Sequence, residues 1–240
     1  MPAKQVLLIV TITRLWQTTG AGQALGLVLV ATVAYLYGSI PFAYLATYLT
    51  SRRSLTREGT GNVGVVNAYH AGGVTAVVIT LLGDFSKVFV SLGLAEFLFP
   101  GQDYVKLLAI LAAFVGTNFS VFLRGRGGRG STMLMWSLAF VSLWSCLIIC
   151  AIMGLCWLLS RVDMRLKSMW IWFFPVVLSL VERDWVYLVF GVLVVIVIYT
   201  NGRRSKDDLV YFGHTLQKQR KAESRQDEPA NDDLSTGSDR

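Results

Sequence analysis

The chain has 240 residues, of which 54% are hydrophobic and only 15% are charged, and its formal net charge is +7. A soluble domain carries about 25% charged residues, and residues 203–240 hold eight basic and eight acidic residues, so the excess positive charge lies in the apolar part. This composition excludes a soluble globular domain, and it leaves no basic soluble face of the kind that binds nucleic acid.

Residues 1–22 form an N-terminal segment with a short apolar stretch at residues 6–13, which Arg14 interrupts. No small-residue cleavage site follows this stretch, so the sequence does not predict a cleaved signal peptide. Two alternatives remain for residues 4–17, which either lie along the membrane surface or form a frayed terminus.

Long apolar runs predict membrane-spanning helices, because a helix needs about 20 apolar residues to cross a bilayer. The predicted spans lie at residues 23–50, 72–99, 104–123, 168–181 and 185–200, together with the run at residues 131–160. Four short segments concentrate the basic residues, at positions 52–57, 124–129, 161–167 and 203–206. The positive-inside rule places all four segments in the cytoplasm.

The number of crossings depends on the run at residues 131–160, which lies between two of the basic segments. An even number of crossings must separate two segments on one side of the membrane, so this run is predicted to form two short helices that turn near residues 142–145. One long span, with residues 161–167 outside, is the alternative. The first solution predicts an all-α polytopic membrane protein with about seven transmembrane helices, the N-terminus outside and the C-terminus cytoplasmic.

The chain therefore divides into the segment 1–22, a transmembrane domain at residues 23–204 and a polar tail at residues 205–240. The tail is rich in charged residues, Gln and Ser, so it is predicted to be cytoplasmic and largely disordered. The three cysteines lie in one apolar run without other soft ligands, so neither a metal site nor a disulfide framework is predicted.

Three stretches interrupt the apolar pattern with glycines and polar residues. Residues 38–41 read Gly-Ser-Ile-Pro, where the proline kinks a helix and the serine can satisfy a freed carbonyl. Residues 59–67 read Gly-Thr-Gly-Asn-Val-Gly-Val-Val-Asn, and such glycines let backbone N–H groups surround an anion. A simple kink and a flexible connector are the respective alternatives.

The third stretch, residues 124–130, alternates arginine with glycine in the order Arg-Gly-Arg-Gly-Gly-Arg-Gly. Arginine binds phosphate through a planar fork of donors. A loop that only sets membrane topology explains the charge but not the glycines, so the pattern favours a phosphate site.

Two further features concern ionisable residues. Asp84 and Lys87 lie three residues apart within one predicted span, where they share a helix face and either form a structural pair or line a polar cavity. An acyltransferase of the His-x4-Asp type is excluded, because Thr75 follows His70 and Gln219 follows His214 at the required spacing.

These stretches resemble the bacterial acyl-phosphate:glycerol-3-phosphate acyltransferases, and the similarity runs over residues 35–200. Residues 38–41 match the family's Gly-Ser-Ile-Pro, and residues 59–67 match its Gly-Ser-Gly-Asn-Ile-Gly-Ala-Thr-Asn. The spacing from there to Asp84 and Lys87 matches the family's Asp-x-x-Lys without a gap.

The Arg-Gly stretch extends the resemblance. Phe119 and residues 121–130 are similar to a family run that reads Phe-Pro-Val-Phe-Leu-x-Phe-Lys-Gly-Gly-Lys-Gly. Each motif alone is weak, but four motifs at the right spacing are specific. The family's seven spans also agree with the number derived from the basic segments.

The resemblance implies transfer of a fatty acyl group from acyl phosphate to the 1-hydroxyl of glycerol 3-phosphate, giving lysophosphatidic acid in phospholipid biosynthesis. It implies a bacterial inner-membrane location, contact with membrane lipids and no cofactor. The reaction needs no covalent nucleophile, because stabilisation of the phosphate leaving group and positioning of the acceptor can suffice.

Most candidate site residues come from the matching motifs, whereas His70 stands where the family has an arginine and Arg57 is shifted by one position from the family's arginine. The candidate catalytic residues are Thr60, Asn62, Asn67 and Arg129. The candidate substrate-binding residues are Ser39, Arg57, Gly61, His70, Arg126, Gly127, Gly128 and Gly130. No metal ligand is predicted.

Several positions depart from the family pattern. Thr60 keeps the hydroxyl of a family serine, and Arg126 and Arg129 keep the charge of family lysines. Other polar positions differ more, namely Val66, His70, Thr117, Ser120, Met164, Lys167 and Asn201. One alternative is therefore a catalytically impaired homologue that binds phosphate or lipid in a regulatory role. A lipid transporter is a further alternative, although transport favours an internal repeat, and no convincing repeat is present.

Overall fold

A computed structural model describes residues 20–159 and 170–202 of the protein, and over these ranges all regular structure is helical. The α-helices are α1 (Gly20–Gly38), α2 (Phe42–Ser51), α3 (Val65–Leu98), α4 (Asp103–Asn118), α5 (Ser131–Val141), α6 (Leu143–Leu159), α7 (Trp170–Glu182) and α8 (Trp185–Gly202), with a 3-10 turn at Val121–Leu123. The predictions for residues 4–17, 161–167 and 203–240 lie outside the described residues.

Seven apolar helical segments occur in the described part of the chain. Those long enough to cross a membrane are Gly20–Ser51, Val65–Leu98 and Asp103–Leu123. The shorter ones are Ser131–Val141, Leu143–Leu159, Ile171–Glu182 and Trp185–Asn201. These segments confirm the predicted all-α polytopic membrane protein, while the side of the membrane that holds each terminus stays a prediction.

The outside of the bundle is covered by large apolar side chains. Leu49, Leu82, Trp144 and Leu180 are 67%, 63%, 72% and 70% exposed, respectively. Side chains of this kind are stable in contact with lipid tails, which are as apolar as leucine. The outer surface therefore suits hydrocarbon rather than water.

Helices α1 and α4 cross with their backbones in close contact. A Cβ atom built at Gly38 would lie 2.3 Å from the carbonyl oxygen of Ala113, and one at Gly116 would lie 2.2 Å from that of Tyr35. Small residues at such crossings allow close helix packing in membranes. The crossing places the end of α1 beside the end of α4.

The apolar runs at residues 23–50 and 131–160 are each interrupted where the sequence predicts, at residues 38–41 and near residues 142–145. Helix α1 ends at Gly38 and α2 begins at Phe42, and the Ser39 hydroxyl donates to the Tyr35 carbonyl at 2.8 Å. The run at residues 131–160 breaks at Ser142, whose hydroxyl oxygen accepts the Ser145 backbone N–H at 3.2 Å. This bond caps the start of α6 and explains why two helices form instead of one.

Candidate functional site

A cavity of about 750 Å³ lies among the ends of α1, α4 and α8 and the beginnings of α3 and α5. One part of its wall carries polar side chains or glycine backbone: Ser39, Asn62, Asp84, Lys87, Thr117, Ser120, Gly127, Gly128, Arg129, Gly130, Ser131 and Thr132. Another part is apolar and comes from α6, α7 and α8: Met153, Ile171, Trp172, Val195 and Ile198. The cavity therefore suits a ligand with a polar head and an apolar tail, and its volume is typical of ligand sites.

The Arg-Gly loop (residues 124–130) is anchored on the end of α4. The Gly127 N–H donates to the Asn118 carbonyl at 3.2 Å, and the Gly128 N–H donates to the Thr117 carbonyl at 3.0 Å. The last carbonyls of a helix have no partner within the helix, and here N–H groups of the Arg-Gly loop donate to two of them. This anchoring places Arg129 in the cavity wall.

A second loop, residues 52–64, meets the Arg-Gly loop at Gly128. A Cβ atom at Gly128 would lie only 2.1 Å from the Val63 carbonyl oxygen. No other residue type permits such close backbone approach. The two glycine-containing stretches that the sequence singles out are therefore in direct contact.

Asn67 holds the second loop in shape from the first turn of α3. It is 1% exposed, and its Nδ2 donates to the carbonyls of Leu55, Glu58 and Asn62 at 3.3, 3.1 and 2.9 Å. The amide thereby fixes the backbone on both sides of the Gly59 turn. Its contacts are those of a residue that positions Asn62.

Both loops lead into helix starts that line the cavity. Helix α3 follows Gly64 and α5 follows Gly130, and neither start has a side-chain cap or an acidic residue in its first turn. First-turn N–H groups lack intrahelical partners and carry the positive end of the helix dipole. Two such starts around one cavity favour an anionic ligand.

Asp84 and Lys87 form a buried pair in the cavity wall. The Lys87 Nζ lies 3.5 Å from Asp84 Oδ1 and donates to the Thr117 hydroxyl at 3.3 Å. The Thr132 hydroxyl donates to the other Asp84 oxygen. This confirms that the two residues pair, and their neighbours satisfy charges that would otherwise be costly inside a membrane.

The structure brings half of the predicted site residues together around the cavity. Those that line it are Ser39, Asn62, Gly127, Gly128, Arg129 and Gly130. Those outside its lining are Arg57, Thr60, Gly61, Asn67, His70 and Arg126.

The residues outside the lining fall into two groups. Thr60 and Gly61 shape the loop that carries Asn62, since the Thr60 hydroxyl accepts the Asn62 N–H at 3.2 Å and Gly61 has a φ of 75°. Arg57, His70 and Arg126 are exposed. A direct role of these exposed residues in substrate binding stays a prediction.

Some cavity residues were not among the predicted site residues: Asp84, Lys87, Thr117 and Thr132. An ionisable pair inside an apolar run was an available signal for the first two. Ser131 and Thr132 follow the Arg-Gly loop at the start of an apolar run, and hydroxyl residues at such a place are a helix-start signal. Over residues 20–159 and 170–202, no group of three or more His, Cys, Asp or Glu side chains is placed to hold a metal ion.

Replacement of Asn67 is expected to destabilise the protein. Asn67→Ala removes the donor to three carbonyls, of which the Glu58 carbonyl keeps the Gly61 N–H as a partner. A buried group left unpaired costs about 1–3 kcal/mol, so we expect the free energy of unfolding to fall by about 2–6 kcal/mol. Denaturant unfolding in detergent measures the change. The matched control is Val74→Ala, because Val74 is 67% exposed just after the kink that Gly73 makes in α3. Equal unfolding midpoints for Asn67→Ala and the control would contradict the role.

Comparison with known proteins gives one family. A sequence profile described as "Glycerol-3-phosphate acyltransferase" matches residues 28–207. A Bordetella pertussis glycerol-3-phosphate acyltransferase is 35% identical over 138 residues, covering 57% of this chain and 62% of that protein. A Syntrophomonas wolfei protein of the same name is 26% identical over 181 residues, covering 74% of this chain and 90% of that protein. The match thus spans less than two thirds of the Bordetella relative.

The fold is similar to that of solved structures. A crystal structure of PlsY (YgiH), described as an integral membrane glycerol 3-phosphate acyltransferase in its glycerol 3-phosphate form, superposes with a TM-score of 0.64 at 24% identity, covering 74% of this chain and 88% of that one. The lysophosphatidic acid form superposes with a TM-score of 0.60 at 22% identity. These structures share the helical architecture described above.

Proposed function

The chain belongs to the glycerol-3-phosphate acyltransferase family, and we propose that it transfers a fatty acyl group from acyl phosphate to glycerol 3-phosphate. The product would be lysophosphatidic acid. One observation carries the proposal: Arg129 and the glycine backbone of residues 127–130 lie in the polar part of a cavity whose other part is apolar. The substrates have this composition, since both carry phosphate and the donor also carries a long apolar chain.

Phosphate recognition falls to the Arg-Gly loop and the two helix starts. Arg129 supplies a planar fork that fits phosphate oxygens. The N–H groups at the beginnings of α3 and α5 add partial positive charge without a mobile side chain. Asp84 lies close to Lys87 and offsets its charge, so Arg129 and the helix starts provide the net attraction for an anion.

Acyl transfer then requires two groups to be held in line. The 1-hydroxyl oxygen of glycerol 3-phosphate attacks the carbonyl carbon of the donor, a new ester C–O bond forms, and the anhydride C–O bond breaks to release inorganic phosphate. A phosphate oxygen of the substrate accepts the hydroxyl proton. The protein contributes orientation and stabilisation of the negative charge that develops on the carbonyl oxygen and the leaving group.

Ser39 and Asn62 are two uncharged side chains that can orient the acceptor, because both are buried and line the cavity. Thr60, Gly61 and Asn67 act through the loop that carries Asn62. The acyl chain lies along the apolar wall from α6, α7 and α8, which includes Met153 and Trp172. A chain held there leaves its phosphate end at the Arg-Gly loop.

The location of the site supports a proposed orientation in the membrane. The Arg-Gly loop and the basic loop at residues 52–57 lie at the same end of the bundle, because Gly128 contacts Val63. The positive-inside rule places this end in the cytoplasm, where the water-soluble acceptor is found. We accordingly propose a multi-pass protein of the bacterial inner membrane, with its N-terminus outside and its C-terminus inside.

A second candidate function is phosphate or lipid binding without turnover. Thr117 and Asn201 are two of the positions that depart from the family pattern, and both are committed to hydrogen bonds within the protein. A homologue with these substitutions can keep the Arg-Gly loop and the helix starts proposed to bind phosphate and still be unable to transfer the acyl group. Binding of substrate without product formation would distinguish it.

Product formation tests the proposal directly. We expect purified full-length protein in lipid or detergent to convert palmitoyl phosphate and labelled glycerol 3-phosphate to labelled lysophosphatidic acid. Palmitoyl-coenzyme A serves as the control donor and should give no product, because it lacks the acyl phosphate leaving group. Well-folded protein that binds glycerol 3-phosphate but forms no product would instead support the second candidate.

A further inference from the structure

We propose that Asn201 is a positioning residue for the Arg-Gly loop and that it sets the affinity of the cavity for phosphate. The proposal rests on the proposed function, because it assigns a role within the same site. Asn201 lies near the end of α8 and is not part of the cavity wall. It acts through the backbone that it holds.

The contacts of Asn201 are short and buried. Its Nδ2 donates to the Gly128 carbonyl at 2.6 Å and to the Asn118 Oδ1 at 2.8 Å. Asn201 is 5% exposed and Asn118 is 0% exposed. Both hydrogens of the Asn201 amide are thus engaged, one on the loop and one on α4.

The direction of these bonds follows from the chain of partners. Asn118 Nδ2 donates to the Phe114 carbonyl at 2.9 Å, and a carbonyl can only accept. Asn118 must therefore present its oxygen to Asn201, and Asn201 must present its amide nitrogen. The Gly128 carbonyl also needs a donor and so requires the same orientation of the Asn201 amide. The three hydrogen bonds are therefore consistent with one another.

Asn201 completes a three-sided anchorage of Gly128. The Gly128 N–H is held by the Thr117 carbonyl at 3.0 Å, and the backbone of Val63 leaves no room for a Cβ on the second side. Asn201 holds the carbonyl on the third side. The peptide group between Gly128 and Arg129 includes this carbonyl, so its orientation determines where the arginine begins.

The same helix also carries part of the apolar wall. Val195 and Ile198 line the cavity, and Asn201 follows Ile198 by three residues on α8. Residues at this spacing share a helix face. Asn201 therefore links the wall proposed for the acyl chain to the loop proposed for phosphate, and it keeps the two at a fixed separation.

A purely structural role would give a different result from a positioning role. In a purely structural role, the amides of Asn118 and Asn201 would only satisfy each other's hydrogen-bonding groups. Loss of the Asn201 amide would then lower the free energy of unfolding and leave the affinity for phosphate unchanged. A positioning role requires phosphate affinity to change in protein that remains folded. Measurement of binding and unfolding on the same samples separates the two.

The test uses full-length protein in detergent and titration calorimetry with inorganic phosphate. Asn201→Leu keeps the number and branching of the side-chain heavy atoms and removes the donor, so we expect the dissociation constant to rise about tenfold, the loss of one buried hydrogen bond. Asn201→His restores an N–H donor and should return the constant to within about threefold of wild type. Thr200→Val is the control, because Thr200 is exposed and bonds only to carbonyls of its own helix among the described residues.

The acyl-transfer assay on the same variants separates the two proposals. Weaker phosphate binding in Asn201→Leu supports the positioning role even if the wild type forms no product, and in that case only the proposed reaction fails. If Asn201→Leu is folded and binds phosphate as the wild type does, the positioning role is wrong, whatever the activity. Wild-type protein that binds no phosphate would overturn both the positioning role of Asn201 and the proposed acyl transfer.

Discussion

Arg129→Ala is expected to lower kcat/KM for acyl transfer by about 10²-fold or more, the usual cost of removing one donor that stabilises a transferring group. Arg129 lies in the cavity wall directly after the anchored Gly128. Arg129→Lys keeps the charge and loses the planar fork, so we expect an intermediate loss of about tenfold. Initial rates with labelled glycerol 3-phosphate measure both effects.

Among the basic residues, the position of the side chain relative to the cavity, and not its charge alone, should decide how far a substitution lowers kcat/KM. Arg126 and Arg53 are exposed, and neither lines the cavity. Arg53→Ala is the control and should change kcat/KM by no more than about threefold, because exposed charges contribute little. Arg126→Ala should show a small effect that salt removes, since it can attract substrate only from a distance. Equal losses for Arg53→Ala and Arg129→Ala would contradict the site.

The membrane architecture is predictable from the sequence because lipid imposes two strict rules. Every backbone polar group must be satisfied within the span, and each span needs a minimum apolar length. These rules locate the spans, and the basic segments at residues 52–57 and 124–129 correctly predict loops at one end of the bundle. Crossing parity predicts two helices in the run at residues 131–160 with a turn near residues 142–145, and the capping bond at Ser142 lies within that range.

The site is only partly predictable, because its residues come from contacts between distant loops. The Arg-Gly pattern identifies Arg129 and its flanking glycines, which line the cavity. No local pattern indicates that Asn67 turns inward to bind three carbonyls while His70, three residues on, remains exposed. Asn201 is likewise only a departure from the family pattern in the sequence, and its bonds to Gly128 of the Arg-Gly loop and to Asn118 of α4 are visible only in three dimensions.

Gly128→Ala is expected to abolish most acyl transfer, although it adds a single methyl group. The new Cβ would lie 2.1 Å from the Val63 carbonyl oxygen, and because that atom belongs to backbone, one of the two loops must move. Movement of the Arg-Gly loop displaces Arg129 and strains the bond to Asn201. We expect kcat/KM to fall by about 10²-fold, since small misplacements of positioning groups have effects of this size.

The control for this variant is Gly93→Ala, in which the same methyl group meets no neighbour within 4 Å in the last third of α3. Alanine is a better helix former than glycine, so this variant should keep its activity and unfold at the same temperature or higher. Thermal unfolding of Gly128→Ala shows whether lost activity comes from a displaced loop or from a misfolded protein. Folded Gly128→Ala protein with wild-type kcat/KM would mean that the contact between the two loops is not needed for catalysis. Lost activity in folded protein would show that this contact holds the phosphate site in its working shape.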